Sequence, residues 1–226
     1  MALYDDMILT VSNSSPDAAP AGSGTYEIYS DITLGGQVSD YDGDPLTYSW
    51  YEGETTYCSG AVNTVFGGDP VNLPACTIAD GLALGAHTIT LEVTDGVTAP
   101  MTSTVAVEVV DTTMPTLAPA PNTTLLWPPN HELVDIVIEA NAADNSGQVT
   151  LSATVSCDDP EAEPGVDYTL PQIDQATGVI TLQLRSERPG YGDGRTYTVT
   201  ITATDDSSNS SSAHVNIVCP HDRRRQ

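Results

Sequence analysis

Apolar and polar residues alternate along several short stretches in the first half of the chain. Residues 46–50, 89–93 and 105–109 place a large apolar side chain at every second position, with Thr, Ser, Ala or Glu between them. A period of two puts alternate side chains on opposite faces, as in half-buried antiparallel strands. Turns rich in Asp, Gly and Pro separate these stretches, so the first half predicts a β-sandwich.

The second half repeats this pattern. Its alternating stretches are residues 134–138, 149–157, 180–184, 197–203 and 213–219. No stretch has a convincing helical period, and 226 residues suffice for two domains of about 100 residues each. We therefore predict an all-β chain of two tandem Ig-like antiparallel β-sandwiches. The predicted bounds are an N-terminal extension at 1–22, a first sandwich at 23–110, a linker at 111–121, a second sandwich at 122–222 and a basic tail at 223–226.

A short apolar run lies near the beginning of the sequence, before a linker-like stretch at residues 13–20. Met7, Ile8, Leu9 and Val11 form the run, which has strand propensity. One interpretation is an ordinary edge strand of the first sandwich. The other is a free strand that pairs with a sheet edge of another copy of the chain, so that the protein polymerises.

Charge changes the functional picture. The chain has 31 acidic residues against 6 Arg and no Lys, and residues 1–184 contain no Lys or Arg at all. A net charge of −25 disfavours binding to nucleic acid or to anionic membranes, and no apolar run is long enough to span a membrane. Such a chain concentrates divalent cations. The alternative is acidic solubility, or life in high salt.

The four Cys residues indicate the redox compartment in which the protein is expected to reside. None forms a Cys-x-x-Cys motif, and an even count suggests two disulfides in an oxidising compartment. Of the three possible pairings, we predict Cys58–Cys76 and Cys157–Cys219, which keep each bridge within one domain. The expected location is extracellular or at the cell surface. The beginning of the chain lacks the basic region of a signal peptide, so we expect a mature form or a fragment.

Two segments of the first half carry a resemblance. Residues 40–50, Asp-Tyr-Asp-Gly-Asp-Pro-Leu-Thr-Tyr-Ser-Trp, and residues 87–96, His-Thr-Ile-Thr-Leu-Glu-Val-Thr-Asp-Gly, resemble the hallmark and final segments of polycystic-kidney-disease-type (PKD) domains. Such domains are Ig-like β-sandwiches of bacterial secreted and surface proteins, and many are spacers beside enzymes or adhesive modules. The segment between Cys58 and Cys76 departs from this pattern.

The joint and the second half carry another resemblance. Residues 111–115, Asp-Thr-Thr-Met-Pro, resemble the joint that precedes hyalin-repeat-like and other bacterial Ig-like domains. Residues 126–131, Leu-Trp-Pro-Pro-Asn-His, and 184–188, Leu-Arg-Ser-Glu-Arg, resemble a module that follows such joints at bacterial C-termini. This resemblance implies a fold and a compartment rather than an activity.

The first candidate metal site is acidic. Asp40, Asp42 and Asp44 alternate in one loop around Gly43, and Asp95 belongs to a hairpin expected at the same pole of an Ig-like sandwich. The loop is not an EF-hand, because strands flank it and no Glu stands at position 12. We predict a calcium ion there, since calcium prefers carboxylate and carbonyl oxygens. The alternative is ordinary Asp-rich turn chemistry.

A second calcium is predicted at the joint between the two sandwiches. The polar residues expected at that pole are Asp111, Asp144, Asn145, Asp205, Asp206 and Asn209. Close carboxylates repel one another without a cation. The alternative is that these residues are solvated turns.

Catalysis is not indicated. His131-Glu132-Leu133-Val134-Asp135 lacks the second His of a zinc-protease motif, and no Gly-x-Ser-x-Gly elbow occurs.

We predict a non-enzymatic calcium-binding structural or adhesive module, acting as a rigid spacer or as a subunit of a surface assembly, which the N-terminal strand could join into a filament. The candidate partners are other copies of the chain and a surface glycan or protein. The alternative is a carbohydrate-binding accessory module of a secreted enzyme, with Tyr51, Tyr57 and Tyr191 as candidate sugar platforms.

Overall fold

Sixteen β-strands account for the secondary structure in the computed structural model, which describes residues 12–188, 190 and 194–222. The chain divides into two units, Met1–Asp111 and Thr112–Gln226, and each has its own apolar core. No α-helix occurs in the described part, so none there could cross a membrane. The prediction of an all-β chain with two Ig-like sandwiches is confirmed.

Nine strands build the first unit. They are β1 (Asp17–Ala21), β2 (Gly24–Glu27), β3 (Ile32–Ser39), β4 (Pro45–Glu52), β5 (Thr55–Asn63), β6 (Val71–Asn72), β7 (Cys76–Ile78), β8 (Gly85–Thr94) and β9 (Met101–Val110). One sheet has the order β1-β3-β6, with β7 also on β3, and the other has the order β2-β9-β8-β4-β5. All pairs are antiparallel except β2 with β9, which is parallel.

The first core follows the alternation seen in the sequence. On β4, β8 and β9 the apolar positions are buried while their neighbours face outward. Trp50 is fully buried against both sheets' apolar residues. Burying a large aromatic side chain supplies much of the stability of so small a core.

Strand β1 differs from the prediction for residues 13–20. Asp17–Ala21 pairs with β3 over five residues, so this part of the predicted extension is an edge strand of the first sandwich. Its residues, Asp-Ala-Ala-Pro-Ala, have weak strand propensity, and Pro20 is tolerated because an edge position has no second neighbour to receive a hydrogen bond. Met7, Ile8, Leu9 and Val11 lie outside the described residues, and their role stays a prediction.

Seven strands build the second unit. They are β10 (Ala120–Pro121), β11 (Leu133–Glu139), β12 (Val149–Cys157), β13 (Gln172–Asp174), β14 (Val179–Arg185), β15 (Gly194–Asp205) and β16 (Ser210–Pro220). Their sheets have the orders β10-β11-β14-β13 and β12-β15-β16. Thr116 pairs with Ala143, and β10 pairs with β11, so residues 116–121 of the predicted linker belong to this sandwich.

Only one of the two predicted disulfides is present. Cys58 bonds to Cys76, as predicted, and ties β5 to β7. The Cys157–Cys219 pairing is wrong, since both residues are free thiols. Both lie at the same end of one sheet, but β15 separates β12 from β16, so the two Cα atoms are at least about 10 Å apart. A disulfide requires less than about 7 Å.

Reduction should therefore destabilise the first unit alone. A bridge that closes a loop with a sequence separation of 18 contributes about 3 kcal/mol in the chain-entropy model. We expect a reducing agent, or Cys58→Ser with Cys76→Ser, to lower the unfolding temperature of the first unit and leave the second unchanged. Calorimetry on the whole chain measures both transitions. Cys157→Ser with Cys219→Ser is the matched control, and a reductant-sensitive second unit would contradict the assignment.

Candidate functional site

The loop between β3 and β4 holds the first predicted metal site. Asp40 directly follows β3 and Asp44 directly precedes β4, so the two strands fix both ends of the loop. Gly43 has a φ of 78°, and a Cβ at this position would lie 2.8 Å from the backbone nitrogen of Phe66. A larger residue would therefore push the two loops apart. Thr64 donates from its hydroxyl to the carbonyl of Asp44, which braces the loop from the same side.

Three carboxylates converge in this loop. Asp40, Asp42 and Asp44 each offer an oxygen within 4.8 Å of the others. Two oxygens that bind one calcium at about 2.4 Å each lie at most about 4.8 Å apart, so this spacing suits a shared ion. The structure thus brings together three of the four residues predicted for the first site.

Asp40 is the member of this group that points most directly to a ligand. The residue is 1% exposed, and its Oδ1 accepts a hydrogen bond from the backbone N–H of Asp42. Its Oδ2 is buried and has no hydrogen-bond partner among the described residues. A buried carboxylate oxygen without a partner is costly, and a bound cation would satisfy it.

Asp95 stays outside this group of oxygens. Hydrogen bonds from the backbone N–H of Val97 lower its pKa to about 2, helped by those from Thr98 and Asn13 and opposed by desolvation. Asn13 donates to Asp95, and the backbone N–H of Ser14 donates to Asp42, so residues 13 and 14 link the two acidic turns. Asp95 therefore organises the surroundings of the loop, and its role as a calcium ligand stays a prediction.

Two acidic residues meet at one end of the second unit. Asp144 and Asp205 offer carboxylate oxygens within 4.8 Å of each other. Asp205 is buried and accepts hydrogen bonds from the backbone and side chain of Asn209. Asp144 accepts from Ser146 with Oδ2, while its Oδ1 is buried without a hydrogen-bond partner in the described part of the chain. These two carboxylates could hold a hard cation together.

The other residues predicted for the second site occupy different places. Asp111 is buried directly after β9 and ends the first unit. Asn145 is exposed, and its side chain donates to the hydroxyl of Thr113 at 3.4 Å. Asp206 is exposed and does not belong to the group of close oxygens.

The two sequence motifs of the second unit contact each other. Ser186 donates from its backbone to the carbonyl of Glu132 and accepts from the backbone N–H of His131. Its hydroxyl donates to the carbonyl of Pro128, and Arg185 donates to the carbonyl of His131. The Trp127–Pro128 peptide bond between them is cis. Residues 126–131 and 184–188 are thus two sides of one hydrogen-bonded structure.

A buried ion-pair network at the end of β14 and the beginning of β15 was not predicted from the sequence. Arg195 is 5% exposed and contacts the carboxylates of Asp159 and Asp167, and Arg185 also contacts Asp167. Burial raises the pKa of the neighbouring Tyr197 to about 12. The sequence signal that could have revealed this network is Arg195, which occupies a core-facing position of β15 where a charged residue is unusual. The network joins β15 to the connection between β12 and β13, which is a structural role.

Two of the three Tyr residues proposed as sugar platforms, Tyr51 and Tyr57, do not present an exposed ring face. Tyr57 is half-buried, packs against the first core and donates its hydroxyl to Glu52, and Tyr51 is also half-buried. Tyr191 lies outside the described residues. The exposed aromatic pair is instead Tyr41 with Phe66, whose ring centroids are 5.8 Å apart.

Comparisons with known proteins give structural similarity only. The chain is similar to a chain in the complex of Dpr2 Ig1-Ig2 with DIP-Theta Ig1-Ig3, at 14% identity and a TM-score of 0.33, covering 89% of this chain and 63% of that chain. The matched part of this chain thus spans less than two thirds of that chain. It is also similar to the Ig1-2 module of the Drosophila receptor tyrosine phosphatase DLAR (11% identity, TM-score 0.33, covering 91% and 98%). A third is protocadherin gamma B2 cadherin domains 3-6 (13%, TM-score 0.35, covering 88% and 46%).

No protein-family model and no curated protein matches the chain. The resemblance of the first half to PKD domains, and of the second half to a bacterial C-terminal module, therefore stays a prediction.

The orphan oxygen of Asp40 gives a direct test of metal binding. At ten times the dissociation constant, calcium should stabilise the first unit of the wild type by about 1.4 kcal/mol. Asp40→Asn should abolish this response, and without calcium it should be at least as stable as the wild type, because it removes a buried charge. Unfolding by denaturant, with calcium and with chelator, measures both effects.

Asp69→Asn, which neutralises an exposed Asp in a nearby loop, is the matched control and should respond as the wild type does. An equal calcium response in Asp40→Asn and the wild type would show that the loop does not bind the ion.

Proposed function

We propose that the chain is an extracellular calcium-binding structural module that acts as a rigid spacer or as a subunit of a surface assembly. The observation that carries this proposal is the buried, unpartnered Oδ2 of Asp40 among the oxygens of Asp42 and Asp44. The disulfide Cys58–Cys76 supports an oxidising compartment, and the charge of −25 supports cation binding. In this proposal the module is non-catalytic.

A second calcium would stiffen the joint between the two units. Asp144 and Asp205 supply two close oxygens, and the neighbouring Asn145 contacts Thr113. Asp111 is only two residues before Thr113, so covalent geometry keeps its Cα atom within about 7 Å of that residue. In this proposal Asp111 completes the site, and the cation joins a residue of the first unit to the second.

Assembly would use the apolar run near the beginning of the chain. Met7, Ile8, Leu9 and Val11 are uncharged in a strongly acidic protein and have strand propensity. In this proposal they add to a sheet edge of another copy, which links spacers into a filament.

The hinge is tested by Asp111→Ala. Binding at ten times the dissociation constant contributes about 1.4 kcal/mol, enough to shift a two-state hinge about tenfold. We expect chelation to increase the flexibility of the wild type, and Asp111→Ala to be equally flexible with and without calcium. Both units should remain folded throughout. Small-angle scattering measures the maximum dimension and the flexibility.

Asp40→Asn is the matched control, since it removes the first site and should leave the calcium response of the hinge intact. Identical scattering of the wild type and Asp111→Ala, with calcium and with chelator, would reduce Asp111 to a linker residue.

A carbohydrate-binding accessory module is the second candidate, favoured by the exposed pair next to the acidic loop. Tyr41 is 61% exposed and Phe66 is 77% exposed. Exposed aromatic faces offer rigid apolar surface to one side of a sugar ring. We expect that, if this function is correct, Tyr41→Ala with Phe66→Ala abolishes binding on a glycan array, that chelation does not, and that Val97→Ala, at another exposed apolar residue, has no effect. The absence of any glycan signal from the wild type would remove this candidate.

A further inference from the structure

Strand β12 forms one edge of the three-stranded sheet of the second unit. It pairs with β15 on one side only, over Val149–Cys157. Leu151 exchanges two hydrogen bonds with the side chain of Gln175, which accepts from its N–H and donates to its carbonyl. The backbone of Leu151 therefore points away from β15. Because this direction alternates along an antiparallel strand, Ala153, Val155 and Cys157 also point their backbone groups outward.

Beyond Leu151, the outward backbone groups of β12 have no hydrogen-bonded neighbouring strand among the described residues. Ala153 and Val155 form no backbone hydrogen bond on that side with any described residue. Gln175 occupies the place that a neighbouring strand would take, but only at Leu151. Within the described part of the chain, residues 153–157 of β12 have no such cover and are a template for a further strand.

The core-facing side chains of β12 at this edge are also only partly shielded from solvent. Val155, Val199 and Val215 lie at the same level of the sheet, on β12, β15 and β16. Val199 and Val215 are buried, whereas Val155 is only half-buried, as are Ala153 and Cys157. An added strand could place alternate apolar side chains against these three residues and exclude water from them.

The other long edges differ from β12. Val218 on β16 is covered by hydrogen bonds with Thr124 and Leu126, and Val215, Ile217 and Cys219 on the core face of that strand are buried. Strand β5 is mostly exposed on both faces and is tied to β7 through Cys58. Strand β12 has neither Pro nor a charged residue, the usual means by which proteins block an edge.

We propose that residues 153–157 of β12 accept the apolar run at residues 7–11 of a second copy as an additional strand. This inference rests on the self-assembly in the proposed function and names its acceptor. Both segments have five residues, and both are uncharged in a chain of net charge −25. In the added strand Met7, Leu9 and Val11 face the half-buried side of the edge, because alternate residues share one face and these three are all apolar. Ile8 and Thr10 face outward.

The test uses the full chain and measures its mass by light scattering at high micromolar concentration. Ala153→Pro removes an outward N–H that the β12–β15 ladder does not use, so it should reduce the assembly to single chains while the fold is kept. Ser212→Pro removes the corresponding outward N–H of β16 and should leave the assembly unchanged. Val155→Lys, which places a charge at the edge, is the second variant and should also give single chains.

Crosslinking through the natural thiol of Cys157 tests the contact directly. A Cys at either end of the run, Met7→Cys or Val11→Cys, should form an intermolecular disulfide with Cys157 when diamide oxidises the two thiols. The first would indicate an antiparallel added strand and the second a parallel one, and Cys157→Ser should abolish both.

The outcomes separate this inference from the proposed function. If deletion of residues 1–11 gives single chains but Ala153→Pro and Val155→Lys still assemble, the acceptor edge is wrong and assembly through the N-terminal run stands. If the deletion has no effect, or the wild type is a single chain at every concentration, assembly through this run fails and the inference fails with it.

Discussion

Strand register is the constraint on which the other features of this chain depend. Each long strand commits alternate side chains to one of two apolar cores, and a shift by one residue would expose them all. Register fixes where each loop begins. Asp40 follows β3 without an intervening residue, and Asp205 is the last residue of β15, so both acidic side chains are carried on rigid strand ends. Loops anchored in this way keep like charges close together despite their repulsion.

The period of two made much of this predictable. Residues 46–50 and 197–203 show which side chains are inside, because the alternation is a direct consequence of backbone geometry. The same alternation could not pair Cys157 with Cys219. Parity says that both face the core, but not that β15 lies between them. Strand order is a long-range property, and local patterns do not contain it.

Structural features with only a weak signal in the local sequence could not be predicted. Asp17–Ala21 is a strand because it pairs with β3, although Asp, Ala and Pro are all depleted in strands. Convergence of Asp40, Asp42 and Asp44 was predictable because one tight loop carries all three. The network of Arg195, Asp159 and Asp167 was not, since its members are far apart in the sequence and each is ordinary alone.

The single disulfide has a mechanical consequence for a chain that is stretched between two attachment points. Cys58 and Cys76 are 18 positions apart in the sequence, and the bond prevents that segment from extending. At about 3.4 Å per residue, the first unit would release roughly 60 Å less contour length than its residue count allows. The second unit, with both thiols free, has no such limit. Under tension the two halves would therefore yield unequal lengths, and a reducing environment would make them more alike.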